Sequence, residues 1–316
     1  GGNLMGFFTS TEDTYNDIYI ENAHRYEDEY GINLITLEAV QFGQEVFGDM
    51  VRYDIQECTT GVVQEGVVQD IWEKVKAFFK KAWNKIKLFF KGLYAKILAR
   101  MTSDNKAFYN KYHKDVDANS DALSMEVKYR PVDMTKANNL NPSAVSGAIT
   151  SMANETDSEN LFGVAANALF SGVKESVTSV SSLKQELKDL AIGSEKEEKF
   201  SNIKKEIEDI LKDGNKTVKE AQDAEKKSLE TIKKAEKELL SGTPEEKAED
   251  IKENRQGTLR AAAALVSIVT TYSSAIVDII KFRNSQARKI YARAVSYKES
   301  YNYDYELAFT EADSLV

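Results

Sequence analysis

The sequence is poor in the residues that most often carry catalysis and metal binding. Its 316 residues include one cysteine, Cys58, and two histidines, His24 and His113. A single cysteine excludes an intramolecular disulfide framework and any multi-cysteine zinc or iron–sulfur site. Two histidines so far apart in the chain leave little for histidine-based acid–base chemistry. These absences favour a binding or structural protein over an enzyme.

The motifs of familiar enzyme classes are also missing. The sequence has no glycine-rich phosphate loop, nucleophile elbow, His-Glu-x-x-His or Cys-x-x-Cys pattern. His24 stands at helical spacing from Glu21 and Asp28, which would suit a metal ion, but an exposed polar face explains this spacing more simply. Cys58 follows Glu57, whose negative charge disfavours a thiolate. We therefore expect no catalytic residue, no metal, no cofactor and no small-molecule substrate.

Proline and glycine are scarce as well, with 3 and 16 residues, while 42% of the chain is hydrophobic and 29% is charged. This composition supports a real core and excludes wholesale disorder. Residues 258–280 approach the length that spans a bilayer, but they include Arg260, Asp278 and several hydroxyl side chains, so we expect a buried core helix. Residues 1–8 lack the basic and apolar regions of a secretory signal, and secretion by such a signal is not expected.

Charge is arranged in blocks. Residues 1–70 contain 14 acidic and 2 basic side chains, whereas residues 71–116 contain 12 basic and 3 acidic ones. Near the other end, residues 281–298 contain 6 basic and no acidic side chains, and residues 299–316 contain 5 acidic and no basic ones. Blocks of opposite sign that follow one another often neutralise each other. The pattern predicts an acidic N-terminal arm that masks a basic helix.

Residues 67–101 carry the clearest periodicity in the chain. Apolar residues recur every three or four positions and lysines fill most of the other face, which predicts one amphipathic helix of about 30 residues. Thr102, Ser103 and Asp104 are expected to end it and to cap a shorter helix. The residues predicted to face a partner, a lipid surface or DNA come from this amphipathic helix and from the basic end of the last helix. They are Trp72, Lys74, Lys80, Lys81, Trp83, Lys85, Lys87, Lys91, Arg283, Arg288 and Arg293.

Three interpretations of this basic helix stay open. Its apolar face packs in a core or on a partner, or it inserts into an anionic membrane as in a toxin or lysis factor, because such insertion needs both apolar area and positive charge. In the third, the lysines contact the phosphates of DNA. Apolar segments at residues 161–173 and 259–280 offer enough surface to cover the helix, which favours the first interpretation.

The remaining segments predict a mainly α fold, an elongated helical bundle with long amphipathic helices and a projecting, coiled-coil-like charged hairpin. The hairpin is expected because apolar stripes are narrow and Asp213, Gly214 and Asn215 supply a turn. A stop and restart is expected over residues 241–246, and a weak strand over residues 125–132. The predicted division is an acidic arm (1–65), a basic helix region (66–116), a polar linker with short helices (117–175), the charged hairpin (176–256), a long helix packed on the 67–101 helix (257–298) and an acidic tail (299–316).

Several stretches resemble the internal structural proteins of large tailed bacteriophages. They are Val-Val-Gln-Glu-Gly at residues 62–66, the Lys/Trp/Phe helix at residues 71–101, the run Asp-Asn-Lys-Ala-Phe-Tyr-Asn-Lys-Tyr at residues 104–112 and the late basic helix at residues 279–298. The resemblance implies a non-enzymatic virion structural protein of the prohead core or virion interior, present in the host cytoplasm during capsid assembly. The partners expected for such a protein are other virion proteins and the chain itself. DNA is a further expected partner, on the separate ground that the basic helices carry lysines that can contact its phosphates.

The resemblance also implies maturation by a prohead protease, which cuts after a glutamate that has a hydrophobic residue two positions before it and a small residue after it. Val63-Gln64-Glu65 before Gly66 fits, as does Phe309-Thr310-Glu311 before Ala312. The first of these bonds separates the acidic arm from the basic helix. An ordinary turn at the entry to the helix is the alternative explanation of Glu65 and Gly66.

Overall fold

The computed structural model describes residues 65–155, 157, 160–174, 176–241 and 255–298, together with residues 35, 36, 38, 39, 41 and 42 of the arm, all six of which are helical. It is mainly α-helical, as predicted. In chain order the elements are α1 (Glu65–Ala99), a π-helical segment (Arg100–Asn105), α2 (Lys106–Ala118), a 3₁₀ turn (Ser120–Ser124), β1 (Glu126–Tyr129), α3 (Met134–Ala137), a second 3₁₀ turn (Pro142–Ala144), α4 (Val145–Asn154), α5 (Leu161–Leu169), α6 (Val180–Ala191), β2 (Lys196–Lys199), α7 (Phe200–Lys212), α8 (Gly214–Leu239) and α9 (Arg255–Ser296).

Helix α9 is the spine of the fold. Its 42 residues span about 63 Å at 1.5 Å per residue, and every other described α-helix contacts it. Residues 265–277, near its middle, are all buried although one side carries Ser267, Thr271 and Ser274, so other elements surround the helix here. By length and hydropathy it is the one described helix that could cross a membrane, and 83% of its most apolar window is buried in the fold. The structure therefore uses this segment as a core helix.

Two hydrophobic clusters lie along α9. The larger one joins the apolar face of α1 to α4, α5, α6, α8 and the first half of α9. The smaller one joins α2, β1 and α7 to the last turns of α9, where Ala287, Ile290, Tyr291 and Ala294 are buried. The long helix thus links two cores that would otherwise be separate.

Helix α1 does not end where the sequence predicted. No side chain caps the helix at the predicted stop, and the backbone continues from Ala99 through the π-helical segment into α2. The reason lies in the packing, because Met101 and Asn105 of this segment are buried, with exposed fractions of 2% and 0%. A π-helical turn holds more residues than an α-helical turn, so it changes the direction in which the following side chains point while the helix continues without a break.

The charged segment is arranged differently from a projecting hairpin. Asp213 does turn the chain between α7 and α8, and its carboxylate accepts a hydrogen bond from the Lys216 backbone N–H at 3.1 Å. Both helices then pack on α9, but they differ in their second neighbour, which is α2 for α7 and α1 for α8. Their narrow apolar stripes are covered by the two cores. The stop and restart expected over residues 241–246 lies outside the described residues, apart from Ser241.

Residues 196–199, Lys-Glu-Glu-Lys, form strand β2 although their composition is typical of a helix. β2 pairs antiparallel with β1, which confirms the predicted strand, and the pairing sets Glu126 opposite Lys199 and Lys128 opposite Glu197. Cross-strand partners of opposite charge stabilise a short ladder of this kind. Tertiary pairing here overrides the local preference.

The segment interpreted as a polar linker belongs to the folded body. Ala122, Met125, Leu140, Val145 and Ala148 are all at most 1% exposed. Asn141 and Asp133 cap the short helical turns that follow them, since each carboxyl or amide oxygen accepts a backbone N–H two residues on. The polar residues of this segment therefore serve as caps, and the apolar residues between them fill the core.

Gly214, the first residue of α8, allows that helix to approach the π-helical segment closely. A Cβ added at Gly214 would lie 2.6 Å from the Cβ of Met101, whereas one added at Gly147 in α4 would meet nothing within 4 Å. We expect Gly214→Ala to lower the free energy of unfolding by about 1–3 kcal/mol through overpacking. Gly147→Ala is the control and should be neutral or stabilising by up to about 1 kcal/mol. Urea unfolding of the full chain measures both, and equal effects would contradict the tight approach.

Candidate interaction surface

Helix α1 is built from an 11-residue unit that occurs twice. Residues 72–82 and 83–93 share tryptophan at the first position, lysine at the third, fifth and ninth, and a Phe-Phe pair at the seventh and eighth. Residues 94–97 begin a third unit in part, with Tyr94, Lys96 and Ile97 at the matching positions. Eleven residues make three helical turns at 3.67 residues per turn, so equivalent residues stay nearly in line along the helix.

The apolar positions of the repeat face the core. Nine of them are at most 8% exposed: Trp72, Val75, Phe78, Phe79, Ala82, Ile86, Phe89, Phe90 and Leu93. Helix α8 covers most of this face and α9 covers part of the rest. Trp72 is buried and Trp83 is half-buried. Both tryptophans predicted to face a partner therefore belong at least in part to the core.

The N-terminal arm covers another part of the same face. Ile35, Ala39 and Phe42 are buried with exposed fractions of 1%, 0% and 8%, and the Phe42 ring stacks parallel to that of Phe78 at a centroid distance of 4.6 Å. The hydroxyls of Thr36 and Thr270 are 2.9 Å apart, which joins the arm to α9. The described part of the arm is thus a short helix seated between α1 and α9.

One ion pair links this arm helix to the lysines. Lys81 Nζ lies 2.7 Å from Glu38 Oε1. The sequence predicted that the acidic arm masks the basic helix, and this pair is the contact of that kind among the described residues. Most of what the described arm residues cover, however, is apolar.

The lysines of α1 face outward. Residues 74–100 contain eight lysines, one arginine and no acidic residue. Of the six lysines predicted to form a binding face, five are exposed and Lys85 is half-buried. Lys76 pairs with Glu73 at 3.3 Å, and the Lys87 ammonium lies 4.8 Å from the centre of the Trp83 ring. Lys80 and Lys91 have no ion-pair partner among the described residues.

At 100° per residue the lysines form two lines about 140° apart around the helix. The first lysine line consists of Lys76, Lys80, Lys87 and Lys91, and the second of Lys74, Lys81, Lys85 and Lys96. Between them runs an exposed ridge of uncharged residues: Ala77, Asn84, Leu88 and Ala95. We call the two lines and the ridge the lysine face. The three- and four-residue periodicity predicted the buried side of α1, but the 11-residue unit that orders the lysine face was overlooked, although the paired tryptophans 11 residues apart signal it.

The arginines predicted at the basic end of α9 do not form one surface. Arg283 is 7% exposed, and its guanidinium donates to Glu220 Oε1 at 3.0 Å and to Thr217 Oγ1 at 3.1 Å. Arg288 donates to Asn105 Oδ1 at 3.0 Å and lies over the Phe108 ring. Arg293 alone of the three is exposed. The prediction of a partner-facing role is wrong for Arg283, because its charge is used inside the fold.

The predicted processing positions fall at the edges of the described chain. Glu65 and Gly66 are the first two residues of α1, so their peptide bond lies at the entry to a helix. Glu311 and Ala312 lie outside the described residues, as does His24 with its neighbours. Cleavage at either bond stays a prediction.

Groups with shifted pKa values serve the packing. Burial, followed by the hydrogen bond to Glu225, raises the pKa of Tyr94 far above its usual value and keeps the hydroxyl protonated. Burial likewise raises the pKa of Tyr272, whose hydroxyl donates to Asn138 Oδ1 at 2.9 Å. Each bond ties a helix to its neighbour. The described residues contain no group of three or more His, Cys, Asp or Glu that could hold a metal ion.

A polar cleft of about 350 Å³ lies beside α7 and α8, lined by charged residues of both signs that include Lys205, Glu206, Asp209 and Lys216. Neither sign dominates its walls. The lysine face, by contrast, is mostly exposed, and all the charges on it are positive.

Comparison with known proteins gives one match. The family described as TMP repeat, a tape-measure-like repeat, matches residues 72–82 and 83–93. These two matches coincide with the two 11-residue units of α1 and cover a small part of the chain. No curated protein and no solved structure matches the chain.

The seat of the arm helix can be tested by truncating Phe42. Phe42→Ala removes a buried ring and its stacking on Phe78, so we expect the free energy of unfolding to fall by about 3–5 kcal/mol. Leu88→Ala, at a ridge position that is 52% exposed, is the control and should change it by less than about 0.5 kcal/mol. Both values come from urea unfolding followed by circular dichroism. Similar small losses in the two variants would show that the arm helix is not docked in solution.

Proposed function

We propose that this chain is a non-enzymatic structural protein of a bacteriophage particle, placed in the prohead core or the virion interior, and that it acts through its helices in assembly. The lysine face of α1 is the surface that meets acidic partners. The resemblance of residues 62–112 and 279–298 to internal virion proteins supports this function, and so does the tape-measure-like repeat in α1.

One observation carries the proposal. The two sides of α1 differ in their surroundings, since the apolar side is covered by α8, α9 and the arm helix while most of the lysine side is exposed over more than two 11-residue units. A long helix whose apolar side is already packed inside the fold presents mainly positive charge to its surroundings. Such a surface suits binding to acidic partners in a dense assembly better than catalysis or insertion.

Detection in particles tests this function. Particles are collected from the host cells that carry the gene, banded in a density gradient and analysed by mass spectrometry, with DNA-filled and empty particles kept apart. We expect the chain to be a component of these particles at many copies each. N-terminal peptides that start at Gly66 would establish the predicted cleavage in the same experiment. A chain found only in the soluble host fraction would overturn the proposal.

The membrane-active alternative has a different requirement. Insertion of α1 would need its apolar side, which is at present packed against α8 and the arm helix. The two tryptophans of the chain report on this, since Trp72 is 6% exposed and Trp83 is half-buried.

We expect anionic phospholipid vesicles to cause no blue shift of tryptophan emission and no release of a trapped dye, because the covered apolar side of α1 is not free to enter lipid. The full chain and a Trp83→Phe variant, which keeps Trp72 as its single tryptophan, are compared with and without vesicles. A blue shift in both proteins together with dye release at a low protein-to-lipid ratio would favour the membrane-active function.

A further inference from the structure

The lysine face has a geometry that narrows the choice of acidic partner. Residues 74–100 span about 40 Å of helix at 1.5 Å per residue, and no acidic side chain interrupts them. The lysines at equivalent positions of successive units recur about every 16.5 Å, and within the first lysine line Lys76 is followed by Lys80 and Lys87 by Lys91, each about 6 Å further along. A partner must offer negative charge at regular spacing over this length.

The arrangement of side chains across the lysine face also restricts the shape of a partner. The ridge of Ala77, Asn84, Leu88 and Ala95 is uncharged, mostly slender and exposed, and a lysine line flanks it on each side. An α-helix with its side chains is about 10–12 Å across, and the major groove of duplex DNA is about 12 Å wide. When the ridge points into the major groove, each lysine line lies beside the phosphates along one wall of that groove.

We infer that the lysine face binds duplex DNA through its phosphates, with the ridge toward the major groove and without sequence preference. This inference rests on the proposed function and names the partner of the same surface. Sequence preference is not expected because base edges are read by groups such as Arg, Asn or Gln in bidentate contact, and the ridge carries only Asn84. Lysines that meet phosphates supply affinity and register alone.

Two other polyanions fit the lysine face less well. An anionic membrane is flat, whereas the two lysine lines point about 140° apart, so a plane meets one line at a time. Membrane binding would also draw on apolar area, and the apolar side of α1 is covered. An acidic peptide normally adds apolar contacts to its charges, and the ridge offers a single large apolar side chain, Leu88.

The test measures the binding of the full chain to a fluorescently labelled duplex of about 30 base pairs by anisotropy, between about 50 and 200 mM salt. One variant replaces the first lysine line: Lys76→Gln, Lys80→Gln, Lys87→Gln and Lys91→Gln. A matched variant removes the same charge from exposed lysines of α8 that lie among acidic residues: Lys219→Gln, Lys226→Gln, Lys233→Gln and Lys237→Gln. Equal helicity and equal thermal midpoints show that both variants are folded.

We expect the first variant to bind at least about tenfold more weakly at the lowest salt. Each phosphate contact contributes about −0.9 to the slope of log K against log salt, so the loss of four contacts should make its slope less steep by about 3.6. The α8 variant should stay within about twofold of the unaltered chain, and two duplexes of unrelated sequence should bind alike. Equal losses in the two variants would mean that net charge alone acts, which would overturn the inference, as would the absence of binding at about 50 mM salt.

Competition identifies the partner class. Polyglutamate or anionic vesicles that displace the duplex at equal total charge would overturn the assignment to DNA, whereas unlabelled duplex that competes far better would support it. The two proposals can fail separately. A chain that is present in particles but does not bind DNA loses this inference alone, and a chain that binds DNA but is absent from particles loses the proposed function.

Discussion

The burial of α9 on all sides is the constraint on which the rest of the structure depends. Every residue from 265 to 277 is buried, and a helix segment of this kind is stable in water only when other elements surround it. Every other described α-helix contributes to that cover. Its internal hydroxyls are satisfied within the helix, as where Thr271 Oγ1 donates to the Ser267 carbonyl at 2.7 Å. The apolar segment of α9, whose length and hydropathy would suit a membrane span, therefore forms the centre of the fold.

Polar groups fix how the two cores meet along this helix. Where the clusters join, Arg283 pairs with Glu220, and Asn284 accepts a hydrogen bond from Asn105 of the π-helical segment at 3.3 Å. Apolar surfaces can slide over one another, but buried polar groups cost free energy unless they keep their partners. The junction therefore sets the register of α1, α8 and α9. It also explains why Arg283 is not part of an exposed binding surface.

The sequence was informative where one periodicity decides the structure. The lysine and aromatic spacing of residues 67–101 predicted helix α1 and its two faces, the alternation near residue 127 predicted β1, and the acidic turn at Asp213 predicted the break between α7 and α8. The predictions failed where a distant contact decides. Strand β2 exists because β1 lies beside it, the π-helical segment because Asn105 is drawn into the core, and the docked arm helix because α1 and α9 form a seat for Phe42.

The sequence predicted part of the candidate surface, namely the part that depends on the periodicity of α1 alone. Which lysines of α1 are exposed followed from the apolar spacing, since the opposite side of a core helix must face water. The roles of Arg283 and Arg288 could not be predicted from the sequence. The spacing of arginines along a helix does not indicate which carboxylate or amide of another element will pair with them. Glu220 and Asn105 come from elements far away in the chain.

The 11-residue unit determines how helix α1 can be lengthened without changing the directions of its two faces. Because eleven residues complete three turns almost without residual rotation, a further unit would extend the helix by about 16.5 Å and leave each face pointing in its former direction. An insertion of eight or nine residues would instead rotate the added part and bring lysines against the core. Whole units can therefore be added to this helix without turning its lysine face toward the core.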